Sequence, residues 1–137
     1  MEKTLTEVEI GEYLRALGTK AQTAKTVLQG LDTAQKNQAL NRAADALVQE
    51  SERILSANEK DYALKLTSAR IEAMAEGLRQ IAGLSDPVGE MMESFDRPNG
   101  LHIEKVRVPM GVIGIIYEAR PNVTADAFGL CFKKGNA

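Results

Sequence analysis

Gly111-Val-Ile-Gly-Ile-Ile-Tyr117, followed by Glu118-Ala-Arg-Pro-Asn122 and a helical run from about Thr124 to Gly135, is the stretch on which the fold turns. Seven residues with almost no polar side chain, most of them β-branched, are what a strand covered on both faces of a parallel sheet requires. The helix behind it carries Phe128, Cys131 and Phe132 on its apolar side. Lys133 and Lys134 fall in its last turn, where positive charge suits the helix dipole, and Gly135 closes it. Strand, short polar loop and capped helix make two-thirds of a βαβ unit, so the class expected is α/β, with the first strand-helix unit of a Rossmann-like parallel sheet. Gly111-x-x-Gly114 is not the dinucleotide fingerprint, because these glycines lie before and inside the strand rather than at its exit.

Upstream, residues 101–109 change to a period of two. Leu101 and Ile103 alternate with His102 and Glu104, then Val106 and Val108 with Lys105 and Arg107. The alternation slips by one at Glu104-Lys105, which predicts a bulge or a change of partner. His102 reads as an exposed strand residue, since nothing in the sequence sets a carboxylate or nucleophile beside it. Before that, Pro87, Gly89, Pro98, Asn99 and Gly100 punctuate a non-helical connection.

Residues 1–100 are otherwise helical in pattern. Thr6-x-x-Glu9 is a capping box, after which Leu14, Leu17, Ala21, Ala24 and Leu28 share a face up to Gly30. A second helix from Asp32 or Thr33 shows Leu40, Ala43, Ala44, Leu47, Val48, Ile54 and Leu55 at three- and four-residue spacing, and with the first it predicts an antiparallel helical pair. A shorter one from Thr67 to about Ala82 carries Ile71, Met74, Leu78 and Ile81, ending at Gly83. Such stripes are core faces.

The 137 residues are 44% apolar and 26% charged with a net charge of −2, a composition for a soluble globular domain and not for a nucleic-acid binder. One cysteine excludes an internal disulfide, and one histidine argues against a histidine-based metal centre. The chain begins with acids and holds no apolar run long enough for a signal peptide or membrane span, so a cytoplasmic setting is expected.

In open α/β sheets ligands gather at the carboxyl ends of strands, which directs attention to the loop after Tyr117. Arg120 offers a planar fork for phosphate or carboxylate, Asn122 an amide donor, and the next helix start its unpaired N–H groups. The competing reading makes Arg120 a solvated loop residue and Asn122 a helix cap. Cys131, in apolar company well past that loop, reads as an inert core cysteine.

The run Val106-Arg-Val-Pro-Met-Gly-Val-Ile-Gly-Ile-Ile-Tyr-Glu-Ala-Arg-Pro-Asn-Val-Thr-Ala-Asp126, continued by Leu130-Cys-Phe-Lys-Lys-Gly-Asn-Ala137, resembles the gamma-glutamyl phosphate reductases of the aldehyde dehydrogenase superfamily. Weaker similarity covers Asn41-Arg-Ala-Ala-Asp45-Ala-Leu, Ala57-Asn58-Glu-Lys-Asp61 and Leu84-Ser-Asp-Pro-Val-Gly89. The resemblance implies NADPH-dependent reduction of L-glutamyl 5-phosphate to glutamate 5-semialdehyde and phosphate, in proline biosynthesis, by a homo-oligomer. It assigns residues 1–100 to the helical amino-terminal part of a cofactor domain, 101–109 to an oligomerisation-arm strand, and 110–137 to the first strand-loop-helix of the dinucleotide-binding sheet of the aldehyde dehydrogenase fold. It further implies that Tyr117, Glu118 and Ala119 lie beside the nicotinamide of NADP. Asn122 would support the thioester oxyanion, and Arg120 would bind the acyl phosphate or substrate carboxylate.

Two departures are visible. The family carries an extra stretch where Ala63-Leu-Lys65 here runs into Leu66-Thr-Ser-Ala-Arg70. The nucleophilic cysteine belongs to a later segment of the family sequence and Cys131 does not match it, so a chain ending at Ala137 is expected to be inactive alone. The alternative is a non-catalytic helical interaction or oligomerisation module.

Overall fold

The computed structural model describes residues 6–59, 65–118 and 120–137. Five helices and one hairpin follow in order: α1 (Glu7–Gln29), α2 (Thr33–Gln49), α3 (Ser51–Asn58), α4 (Ser68–Gly83), β1 (Met91–Asp96), β2 (His102–Val106) and α5 (Pro121–Lys133). The start signals act as the sequence requires. Thr6 and Glu9 close a reciprocal box at α1, and Asp32 and Gln35 do the same at α2, where the Asp32 carboxylate accepts the Gln35 N–H at 2.7 Å. The Thr67 hydroxyl caps α4.

The core lies between α2, α4 and α5. Leu40 and Ala44 meet Ala75, Leu78, Ile81 and Ala82, with Ala43, Leu47 and Phe132 packed against them. Gly129 lets α5 approach closely. A Cβ there would stand 2.8 Å from Leu78 Cδ2 and 2.9 Å from Ile81 Cδ1.

Three expectations about the helices are corrected. The antiparallel pair is not α1 with α2: α1 buries no residue, and α2 packs on α4 instead. Heptad-like spacing shows that a helix has an apolar face but not which element covers it. The second helix is broken at Glu50, so Ile54 and Leu55 belong to α3. Gly30 ends α1 at φ −88°, a right-handed value, and its N–H bonds back to Leu28 and Val27 carbonyls without any left-handed turn.

Residues 91–96, expected as part of a connection, pair antiparallel with β2 across a turn closed by Gly100 at φ 83°. The expected bulge exists, but on the opposite strand. Met91 faces Val106 and Glu93 faces Lys105, so Met92 is the extra residue, opposite Lys105-Val106 and one residue on from the slip at Glu104-Lys105. Every residue of the hairpin strands except Ile103 is exposed.

Residues 111–118 join no sheet among the described residues, and the sheet that is present is the two-stranded antiparallel one. The expectation of cover on both faces is corrected to one. Ile113 and Ile115 line a groove with α1 and α5, whereas Ile116 is fully exposed and Val112 partly so. Two backbone bonds depart from this isolation: the Ala137 N–H donates to the Gly111 carbonyl, and the Ile113 N–H donates to the Ala137 carbonyl, each at 2.8 Å. One residue bonded to both neighbours of its partner is the pairing of parallel strands. The start of the segment is also tied to α5 through Asn136, whose buried side-chain oxygen accepts the Gly111 N–H at 2.9 Å.

Candidate functional site

The chain enters α5 with Arg120 at its N-cap position, Pro121 in the first turn and Asn122 behind it. Pro121 suits that place because its missing N–H has no helical partner there. The helix therefore starts about three residues earlier than expected, and Asn122 is not its cap but part of its first turn. Its amide Nδ2 donates to Asp126 Oδ2 at 3.0 Å, one turn on.

A cleft of about 530 Å³ opens between this helix start and α4. Arg120, Pro121, Asn122 and Asp126 line one side, and Leu66, Arg70, Ala73 and Met74 the other. Two of the residues expected at the site, Arg120 and Asn122, are thus brought together. Two others were missed: Arg70 and Asp126. Their signal was faint in the sequence, because Arg70 with Ala73, Met74 and Gly77 occupies an ordinary i, i+3, i+4, i+7 helical row, and nothing tells which partner that row faces.

Both arginines are exposed. Arg70 Nη1 donates to the Lys65 carbonyl at 3.0 Å, and no other hydrogen bond or ion pair engages either guanidinium among the described residues. Two other arginines are ion-paired, Arg79 with Asp45 and Arg107 with Glu90, each at 2.8 Å. Planar forks without an ion pair, set beside the start of a 13-residue helix, form a surface suited to carboxylate or phosphate.

Tyr117 and Glu118 stand outside this cleft at the exposed end of segment 111–118. The Tyr117 hydroxyl is hydrogen-bonded to Thr124 Oγ1 at 2.7 Å, which holds the ring against α5 while leaving about half of the residue open, at 46% exposure. Ala119 lies outside the described residues.

Cys131 lies half-buried in a separate groove of about 410 Å³ with Leu17, Ala24, Phe128 and Phe132, whose lining is almost wholly apolar. His102 is exposed as expected. The hairpin nevertheless sets a carboxylate beside it: Asp96, its cross-strand partner, reaches Nδ1 at 2.6 Å, and Ser94 Oγ lies 3.2 Å from Nε2. In open solvent such a pair contributes little. No helix among the described residues is long and apolar enough to cross a membrane, and no group of histidine, cysteine and acidic residues among them could hold a metal ion.

No family model matches the chain. A gamma-glutamyl phosphate reductase of Brucella suis is 50% identical to it, over 94% of this chain and 34% of that protein. Another, of Caldanaerobacter subterraneus, is 53% identical over 86% and 32%. The crystal structure of gamma-glutamyl phosphate reductase from Thermotoga maritima matches with a TM-score of 0.83 at 39% identity, covering 87% of this chain and 32% of that one. The Saccharomyces cerevisiae structure of the same name gives 0.77 at 27% identity, covering 98% and 36%. The chain spans about a third of the length of the relatives it matches.

Proposed function

From a chain that resembles the gamma-glutamyl phosphate reductases over nearly all of its own length, we infer that it forms part of an enzyme that reduces L-glutamyl 5-phosphate to glutamate 5-semialdehyde with NADPH. The observation that carries this reading is the cleft at the start of α5, which gathers Arg120 and Asn122 with unengaged donors facing a common space. Arg120 binds the acyl phosphate. Asn122, whose Nδ2 keeps one hydrogen free while the other is held by Asp126, supports the oxygen that gains charge when the acyl carbon becomes tetrahedral.

Tyr117, Glu118 and Ala119 take the nicotinamide side, and a tethered, half-open aromatic ring is a fit surface for a flat heterocycle. The cofactor, when bound, supplies hydride. The segment 111–118 is read as the first strand of a Rossmann-like parallel sheet, a reading supported by the two bonds to Ala137. The exposed hairpin is read as the oligomerisation arm of a homo-oligomeric, cytoplasmic enzyme. Cys131 has no role in acyl transfer on this reading, since it lines the apolar groove and not the cleft.

The test is steady-state kinetics of the full-length protein and its Arg120→Ala variant. Loss of a charge-assisted contact should lower kcat/KM for glutamyl phosphate by about 1.5–3 kcal/mol. An unchanged specificity constant would make Arg120 a solvated loop residue.

A further inference from the structure

The cleft holds more charge chemistry than an acyl phosphate needs. On α4, Arg70, Ala73, Met74 and Gly77 recur at the three- and four-residue spacing of one helical face. On α5, Asn122 and Asp126 are one turn apart and bonded to each other. The two faces meet: a Cβ on Gly77 would stand 3.5 Å from Asp126 Oδ1, an ordinary contact, which places this carboxylate beside α4. Ala73, between Arg70 and Gly77, is small as well and lines the opening. Among the described residues, the result is one concave site with two guanidinia that form no ion pair and one carboxylate.

Resting on the reductase reading, we propose that Arg70 and Asp126 together recognise the amino-acid end of the substrate, with Arg70 binding its α-carboxylate and Asp126 its α-ammonium, while Arg120 serves the acyl phosphate. The charges match group for group. L-Glutamyl 5-phosphate carries a carboxylate, an ammonium on the same carbon, and a phosphate at the far end. A site with one cationic fork would leave an anion of that substrate unpaired. A site without a carboxylate would leave its ammonium desolvated and unpartnered. The inventory of the cleft avoids both, and it selects an α-amino acid over a simple dicarboxylate derivative or an amine.

The experiment runs the full-length protein in the oxidative direction, with NADP and inorganic phosphate, on three aldehydes. Glutamate 5-semialdehyde has both head groups, 5-oxopentanoate lacks the ammonium, and 4-aminobutanal lacks the carboxylate. In Asp126→Asn, which keeps an oxygen to accept from Asn122, the preference for glutamate semialdehyde over 5-oxopentanoate should fall by roughly tenfold or more. In Arg70→Ala the preference over 4-aminobutanal should fall comparably, with partial recovery in Arg70→Lys. Folded variants whose preference ratios equal those of the unmodified protein would overturn the assignment. Arg70 is exposed, so its ratio decides the matter should Asp126→Asn fail to fold. Failure of the unmodified protein to oxidise any of the three would overturn the reductase reading itself, and this assignment with it.

Discussion

Asp86 carries the charge balance of the interior. Its carboxylate takes the Lys36 ammonium at 2.8 Å, the Thr33 hydroxyl at 3.1 Å and the Val88 N–H at 3.1 Å, and both partners of the ion pair are nearly fully buried. Lys133 is buried nearby, donating to the Ala82 carbonyl at 2.9 Å and to the Asn37 side chain. None of this was legible in the sequence. Lys133 reads there as a last-turn cation on a helix end, because burial of a lysine depends on which helices converge around it. Burial by itself raises the pKa of Asp86, but the Lys36 contact and the hydrogen bonds outweigh it and hold the group below its ordinary 3.8. Burial lowers that of Lys133 from 10.5, against the pull of Asp86. A depressed carboxylate stabilises the fold fully above its unfolded value and loses that contribution as pH falls through the folded one. Asp86→Asn should therefore flatten the acid limb of a stability-versus-pH profile below about pH 4. At neutral pH it should cost about 3–5 kcal/mol, because two buried lysines lose their counter-ion. Denaturant titrations from pH 2 to 7 check both, and a variant that keeps the parent's acid limb would remove Asp86 from the explanation.

At the scale of elements, local signals were read well and their partners poorly. The box at Thr6, the helix starts near Asp32 and Thr67 and the closure at Gly135 are short-range chemistry, complete within four residues, and they stand where the sequence sets them. The strand Met91–Asp96 was not visible, because its residues acquire meaning only across from His102–Val106. The same distinction predicts different results for two similar substitutions. Asp32→Ala removes a cap from α2, which carries Leu40 and Ala44 in the core, and should lower global stability by about 0.5–2 kcal/mol. Thr6→Ala removes a cap from α1, which buries nothing, so its effect should be fraying at that end with the main transition unmoved. Thermal melts paired with amide chemical shifts separate the two. Equal shifts of the main transition would show that α1 is part of the cooperative core.

In the molecule as a whole, the sequence showed a loop leading into a helix, which the structure has, and a parallel-sheet strand before it, which pairs in no sheet among the described residues. It did not show that the site is shared between α4 and α5, since Arg70 and Asp126 are 56 positions apart. The closure of residues 111–137 has a consequence in time. Gly111, Ile113 and Ala137 bond to one another's backbones, and Asn136 clasps Gly111 from the side. A span with hydrogen bonds at its two ends opens only when those ends part together, and parting them frees the segment that leads from Gly111 to α5. The amide protons of Gly111, Ile113 and Ala137 should therefore exchange with solvent at one common, slow rate, while those of 114–118 exchange orders of magnitude faster. Deuterium exchange followed residue by residue would reveal this pattern, and scattered rates at the three positions would mean that the clasp opens piecemeal. Where the rates coincide, the two ends of the stretch behave as a single latch with one lifetime.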